Sequence, residues 1–180
     1  MSFLKPLCVA ALFALPLSAS AQTDTGTDQA AAATVTNGQK FGAWTVACVA
    51  VAVGKTNCTL TQRILRATDS AFVADIIATR NDKDETYLIA RVPVGVFLPN
   101  GFAMREAENQ DEKAVMSFTW QACNRDFCEA LLQVDTEKAT ALSAQDNEMV
   151  AAFRPNAQSD PFLFKLSLNG MASGLDAIRP

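Results

Sequence analysis

The chain has 180 residues, with 15 Lys and Arg against 19 Asp and Glu, and no histidine. That absence excludes the Ser-His-Asp triad, the Cys-His pair and every imidazole metal ligand, and leaves carboxylate pairs, a Ser-Lys pair or an all-cysteine metal site open. A hydrophobic share of 49% with 19% charged residues fits one globular domain, and the mild net charge of −4 argues against the basic face that nucleic-acid binding uses.

Lys5 is the sole charge in the first 21 residues. An apolar stretch from Leu7 to Leu17 follows, then Ala19-Ser20-Ala21. This layout predicts a secretory signal peptide over residues 1–21, cleaved after Ala21, and a periplasmic or secreted mature chain. The apolar run is too short to span a bilayer, and no later segment approaches that length, so no transmembrane segment is expected in the mature chain. Cys8 follows Leu7 and precedes most of the apolar stretch, which is not the arrangement of a lipidated cysteine. Residues 22–39 are rich in Thr, Ala, Asp and Gly, with Val35 the one large apolar side chain. Such a segment buries too little to offset its ordering entropy, and it reads as a flexible linker, with a short helix over Ala30 to Ala33 as the alternative. Residues 40–180 then form a single β-rich domain.

Loss of the leader removes Cys8 and leaves Cys48, Cys58, Cys123 and Cys128. An even count in an exported chain reads as two disulfides, with three possible connectivities. The local pairing, Cys48–Cys58 and Cys123–Cys128, is the natural one, each bridge stapling a short connection between strands. A zinc site wants paired C-x2-C knuckles and a redox dithiol wants C-x-x-C; neither spacing occurs here. No metal or other cofactor is expected.

Alternation gives the strands. Trp44, Val46 and Cys48 share a face in 41–49, Leu60 and Ile64 share one in 57–66, and Phe72, Ala74 and Ile76 share one in 71–79. Further strands are expected at 85–92 and 102–107. Met116, Phe118 and Trp120 alternate with Ser117 and Thr119; strands at 128–134 and 148–154 follow. Phe162, Phe164, Leu166 and Leu168 then alternate with Lys165 and Ser167. Polar connections at Asn81-Asp82-Lys83-Asp84, Pro99-Asn100-Gly101 and Glu108 to Lys113 separate them. Asp135 can cap a short helix reaching about Ser143, and Met171 to Ile178 suggests a last helical turn. The pattern predicts a mainly β fold, an antiparallel sandwich or barrel-like sheet with one or two short helices.

Chemistry has few candidates. Asp82, Asp84 and Glu85 read as a solvated turn without calcium-loop spacing. Asp75 lies opposite in phase to Phe72 and Ile76; it could be a site carboxylate if both faces of the strand are buried, and is expected rather to face solvent or pair with Arg63 or Arg80. Arg91 could hold an anion. Ser143 and Ser167 lack a base. Met104, Met116, Phe97, Phe102 and Trp120 read as core more readily than as a groove. The segment 93–101 stands out because Pro93 and Pro99 bracket an apolar run. Proline cannot donate to a ladder, so the segment is expected at an edge or between sheets, as a connection plugging the core. Its other reading is an exposed edge for a partner, with Val94, Val96 and Phe97 as the candidate surface.

Taken in order, Phe41-Gly42-Ala43-Trp44-Thr45-Val46-Ala47-Cys48, then Cys58, Pro93-Val94-Gly95-Val96-Phe97-Leu98-Pro99-Asn100-Gly101, Cys123, Cys128-Glu129-Ala130 and Leu166-Ser167-Leu168-Asn169-Gly170 form a series. It resembles the invasion-associated locus B protein family over roughly residues 40–178. Ala43 stands where the family typically has an acidic residue, and Phe127 where it often has glycine; both departures concern loop geometry. The resemblance implies a β-rich domain of the Gram-negative envelope and carries no catalytic residues over. The expectation is a non-enzymatic, exported domain that binds a protein or envelope component. Its alternatives are an accessory subunit of a larger envelope or membrane complex, and a hydrolase using two convergent carboxylates.

Overall fold

The computed structural model describes residues 35–144 and 148–179. The predicted leader, most of the linker and the alternative helix over 30–33 lie outside them. Ten strands form one antiparallel sheet: β1 Lys40–Phe41, β2 Trp44–Ala52, β3 Lys55–Leu65, β4 Phe72–Arg80, β5 Thr86–Pro93, β6 Phe102–Glu106, β7 Met116–Cys123, β8 Phe127–Val134, β9 Glu148–Phe153 and β10 Phe162–Ser167. Helix α1, Thr136–Ala144, follows β8, and α2, Met171–Ala177, ends the described chain. The strand order is β1-β2-β3-β4-β5-β8-β7-β6-β9-β10. The 94–101 connection therefore leaps over two strands, and β5 to β8 make a Greek key.

The sheet curls into a half-barrel. The side chain of Gln62 on β3 reaches the backbone of Ser167 on β10, at the opposite end of the strand order. The concave side holds the core, drawn from alternate residues as the period-two pattern predicts: Trp44, Val46, Leu60, Leu88, Phe102 and Met104 are all essentially buried. Phe102 packs edge-on against Phe118 with centroids 4.9 Å apart. β4 departs from simple alternation, since Val73 to Ala78 are buried on both faces. Phe72, expected beside Ala74 and Ile76, is only half-buried. A register shift between Ile64 and Leu65 leaves its ring 5.6 Å from the Arg63 guanidinium.

Both predicted disulfides are present in the local pairing, Cys48–Cys58 and Cys123–Cys128. Each links directly opposed residues, across β2 and β3 and across β7 and β8. Asp135 caps α1 as expected, accepting from the backbone N–H groups of Glu137 at 2.8 Å and Lys138 at 3.2 Å. The linker was expected to run to residue 39, but its last residues lie against β2. The Gly38 N–H donates to Val46 and the Val46 N–H to Gln39, both at 2.8 Å, while Asn37 Oδ1 accepts from the Cys48 N–H at 2.9 Å. The two backbone hydrogen bonds extend the two-residue strand β1, and with the Asn37 side chain they shield part of the free edge of β2.

Candidate functional site

The convex face of the sheet carries a row of alternating charge. Arg63, Asp75, Arg91 and Glu129 are successive cross-strand neighbours on β3, β4, β5 and β8. Asp75 is almost fully buried and takes Arg63 in a bidentate pair, Nε and Nη2 both at 2.9 Å. The hydrogen bond and charge of Asp75 push the Arg63 guanidinium above its ordinary pKa. Of the two partners expected for Asp75, the structure selects Arg63. Arg91 is engaged by Glu129 at 2.6 Å and lies 4.2 Å from the centre of the Phe127 ring. The anion site considered for Arg91 is therefore filled by the chain's own carboxylate.

Asp84 and Glu85, in the β4–β5 turn, share a shallow hollow with Asp135, but each is already committed. Glu85 accepts from Asn81 Nδ2 at 2.6 Å and from the Tyr87 hydroxyl at 2.9 Å. These hydrogen bonds hold its carboxyl below the usual range, and the same contact pushes the Tyr87 hydroxyl up. A general acid requires the opposite shift. Asp135 is the α1 cap, and Asp84 lies 3.6 Å from both Arg80 and Arg179. Arg80, with its side chain nearly buried, also pairs with Asp176 of α2 at 2.7 Å, tying the helix to the end of β4. Among the described residues, no group of three or more Cys, Asp and Glu is placed to hold a metal ion.

The serines are structural. Ser143 Oγ donates to the Ala139 carbonyl at 2.6 Å, and Ser167 Oγ accepts from the Asn169 N–H at 3.1 Å. Met104, Met116 and Phe102 are buried in the core, while Trp120 and Phe97 are half-buried and do not complete a groove with them.

Pro93 is the last rung of β5, opposite Phe127, and no β4 residue pairs with it, which reconciles proline with an interior strand. Beyond it, Val94 is 47% exposed, Val96 packs partly against the core, and Phe97 is half-buried. The Phe97 N–H donates to the Arg154 carbonyl at 2.8 Å, which pins the connection beside the end of β9. With Leu98, 43% exposed, these residues make a small apolar surface where β5 leaves the sheet.

A second apolar surface escaped the sequence reading. β2 and β3 continue beyond the Cys48–Cys58 rung to Ala52 and Lys55, and leave Val53-Gly54 as the turn. Val49 and Val51 are 62% and 61% exposed, and Val53 is fully exposed. The signal was available: Val49 to Val53 is apolar in both phases of the alternation and lies between the two cysteines. Antiparallel order puts this tip at the opposite end of the sheet from Val94.

A curled antiparallel half-barrel pinned by two cross-strand disulfides defines the class. Within it, the sequence model of the invasion associated locus B (IalB) proteins matches residues 44–179, and the chain belongs to that family. The crystal structure of invasion associated protein b from Bartonella henselae has a similar fold. Its TM-score is 0.63 at 18% identity, with 78% of this chain and 92% of that chain covered. No curated protein matches the chain.

Proposed function

We propose that this protein is an exported, non-enzymatic domain of the bacterial envelope that works by binding a protein or envelope component through its surface. The observation that carries the reading is the apolar surface of Val94, Val96, Phe97 and Leu98. It is held in place by the last rung of β5 on one side and by the Phe97–Arg154 hydrogen bond on the other, so it is a shaped surface. The neighbouring charged side chains Arg91 and Glu129 pair with each other and leave the apolar residues as the unsatisfied feature. Family membership, the disulfides and the leader pattern support export.

The test is capture from detergent-solubilised envelopes by the tagged protein, wild type against Val94→Asp. Stoichiometric capture of one component, lost in the variant, supports the reading. Recovery of both proteins alone, or equal capture by both, overturns the role given to this surface.

A further inference from the structure

We propose that the tip of the β2–β3 hairpin, Val49 to Lys55, is a membrane-contacting finger that enters the headgroup region of a phospholipid bilayer. The inference stands on the geometry of this ribbon and does not require the surface at Val94.

Register defines the finger. The last paired rung between β3 and β4 is Leu60 with Ala78, and β4 ends two residues later, level with Cys58. On the other side, the described segment along β2 bonds no further along it than Cys48. Among the described residues the ribbon beyond the disulfide has no neighbouring strand on either edge. At about 3.3 Å per residue, the five residues beyond Cys48, Val49 to Val53, project roughly 16 Å. The Cys48–Cys58 bond clamps its base, so the finger is presented rigidly.

Both faces of the finger carry exposed apolar side chains of β2: Val49 and Ala50 point to opposite faces, and Val51, Ala52 and Val53 follow across a register shift, beside the polar Lys55, Thr56 and Asn57 of β3. A single flat protein surface would cover one face and leave the other in water. A bilayer surrounds both. The charge pattern agrees. From Trp44 to Thr68 there is no carboxylate, and the cations are Lys55, Arg63 and Arg66. Arg63 and Arg66 pair with Asp75 and Asp69, while Lys55, next to the turn, has no ion pair among the described residues. An ammonium group beside an apolar tip fits the phosphate layer above acyl chains. The acidic β4–β5 turn starts level with Cys58 and is set back from the tip.

The same physics limits the depth. The free edges of a two-stranded ribbon carry unpaired N–H and C=O groups, which hydrocarbon does not tolerate. The finger therefore stops at the boundary of headgroups and acyl chains, about 5–10 Å deep.

Val53→Trp in the full chain tests this, because Trp44 and Trp120 are a constant background and the leader is common to every variant. Vesicles of phosphatidylcholine containing phosphatidylglycerol should shift the added emission to the blue, and brominated lipids should quench it. Val51→Asp, at an exposed site that leaves the fold intact, should lower this partitioning about tenfold. Val94→Asp should leave it unchanged. An emission unmoved by vesicles overturns the proposal, as does an equal shift in the Val51→Asp background or its loss on Val94→Asp. If Val51→Asp instead abolishes capture of an envelope protein while the vesicle spectra stay flat, the occupant is a protein and the lipid reading falls. Failure here with Val94-dependent capture intact leaves the proposed function standing; the reverse result removes that function and keeps the finger.

Discussion

The carboxamide of Gln62 on β3 takes both hydrogen-bonding groups of Ser167 on β10, although the two residues are 105 apart in sequence. Nε2 donates to the Ser167 carbonyl at 2.7 Å, and Oε1 accepts from the Ser167 N–H at 3.0 Å. A single side chain thus plays the part of a missing strand at the end of β10. It satisfies an edge that would otherwise be open and holds the curl of the sheet closed.

The chemistry of this clasp predicts a pH-dependent variant. Gln62→Leu should cost roughly 1–3 kcal/mol, because it strands the two backbone groups of Ser167 in a part-buried site. Gln62→Glu keeps the shape. Its carboxylate can accept from the Ser167 N–H but cannot donate to the carbonyl, whereas the protonated acid can do both. The folded state then favours the protonated form and raises the glutamate pKa above its unfolded value of about 4.3. The clasp is complete below that unfolded value and lost as pH rises through the folded one. Urea midpoints of wild type and Gln62→Glu should converge towards pH 4 and separate by pH 7. A gap independent of pH would show that the carboxamide hydrogen bonds do not hold the edge.

The chain's single tyrosine offers a direct reading of the β4–β5 turn. Its hydroxyl donates to Glu85, and both the hydrogen bond and the carboxylate charge resist its ionisation. Alkaline titration of tyrosinate absorbance should give one midpoint above 10.0, the ordinary value for tyrosine. Glu85→Gln should move that midpoint down. A folded value raised above the unfolded one means that the Tyr87 contribution to stability is intact below pH 10 and disappears as pH climbs through the folded value. For Glu85 the sign reverses: its lowered pKa contributes above the unfolded value and is lost as acid titrates the folded carboxylate. A Tyr87 midpoint at or below the ordinary value would contradict the contact.

Both cross-strand disulfides close hairpins, and chain entropy ranks them. Each Cys pair replaced by Ala should cost about 2–3 kcal/mol. The separation of 10 residues for Cys48–Cys58 against 5 for Cys123–Cys128 is a doubling of the loop, which favours the former by about 0.6 kcal/mol. Thermal midpoints of the two double variants should follow that order. The reverse order would indicate that unfolded-chain entropy is not the main contribution.

The strands, the disulfide pairing and the α1 cap were legible because each is written locally, in alternation, in cysteine count and in an Asp before a helical pattern. Gln62 was not. It lies in phase with Leu60 and Ile64, which marks it as inward-facing, but a polar residue in a core phase gives no clue to a partner 105 residues on. The candidate surface at Val94 was visible through its bracketing prolines. The finger at Val49 to Val53 is not legible in the alternation, which carries the strand over 41–49 and no further. Its projection depends on where β4 stops, and only the register between strands supplies that.

Gly170 accounts for two of the sequence landmarks at once. Phe41-Gly42 and Asn169-Gly170 meet backbone to backbone, and the Ala43 N–H donates to the Asn169 carbonyl at 3.3 Å. A Cβ on Gly170 would land well inside contact distance of the Phe41 carbonyl and 2.8 Å from the Gly42 nitrogen; one on Gly42 would sit 2.5 Å from the Asn169 carbonyl oxygen. Gly170 also holds φ at +84°. Gly170→Ala therefore combines left-handed strain with a clash against backbone that cannot turn aside, and it should cost roughly 3 kcal/mol. Gly54 at the hairpin turn is the control. Its φ is +71° but no atom lies within 4 Å of an added Cβ, so Gly54→Ala carries the strain alone, about 1 kcal/mol. Urea denaturation of the two variants separates packing from conformation: equal losses would remove the close approach of residues 41–42 and 169–170 as the reason for glycine at this junction.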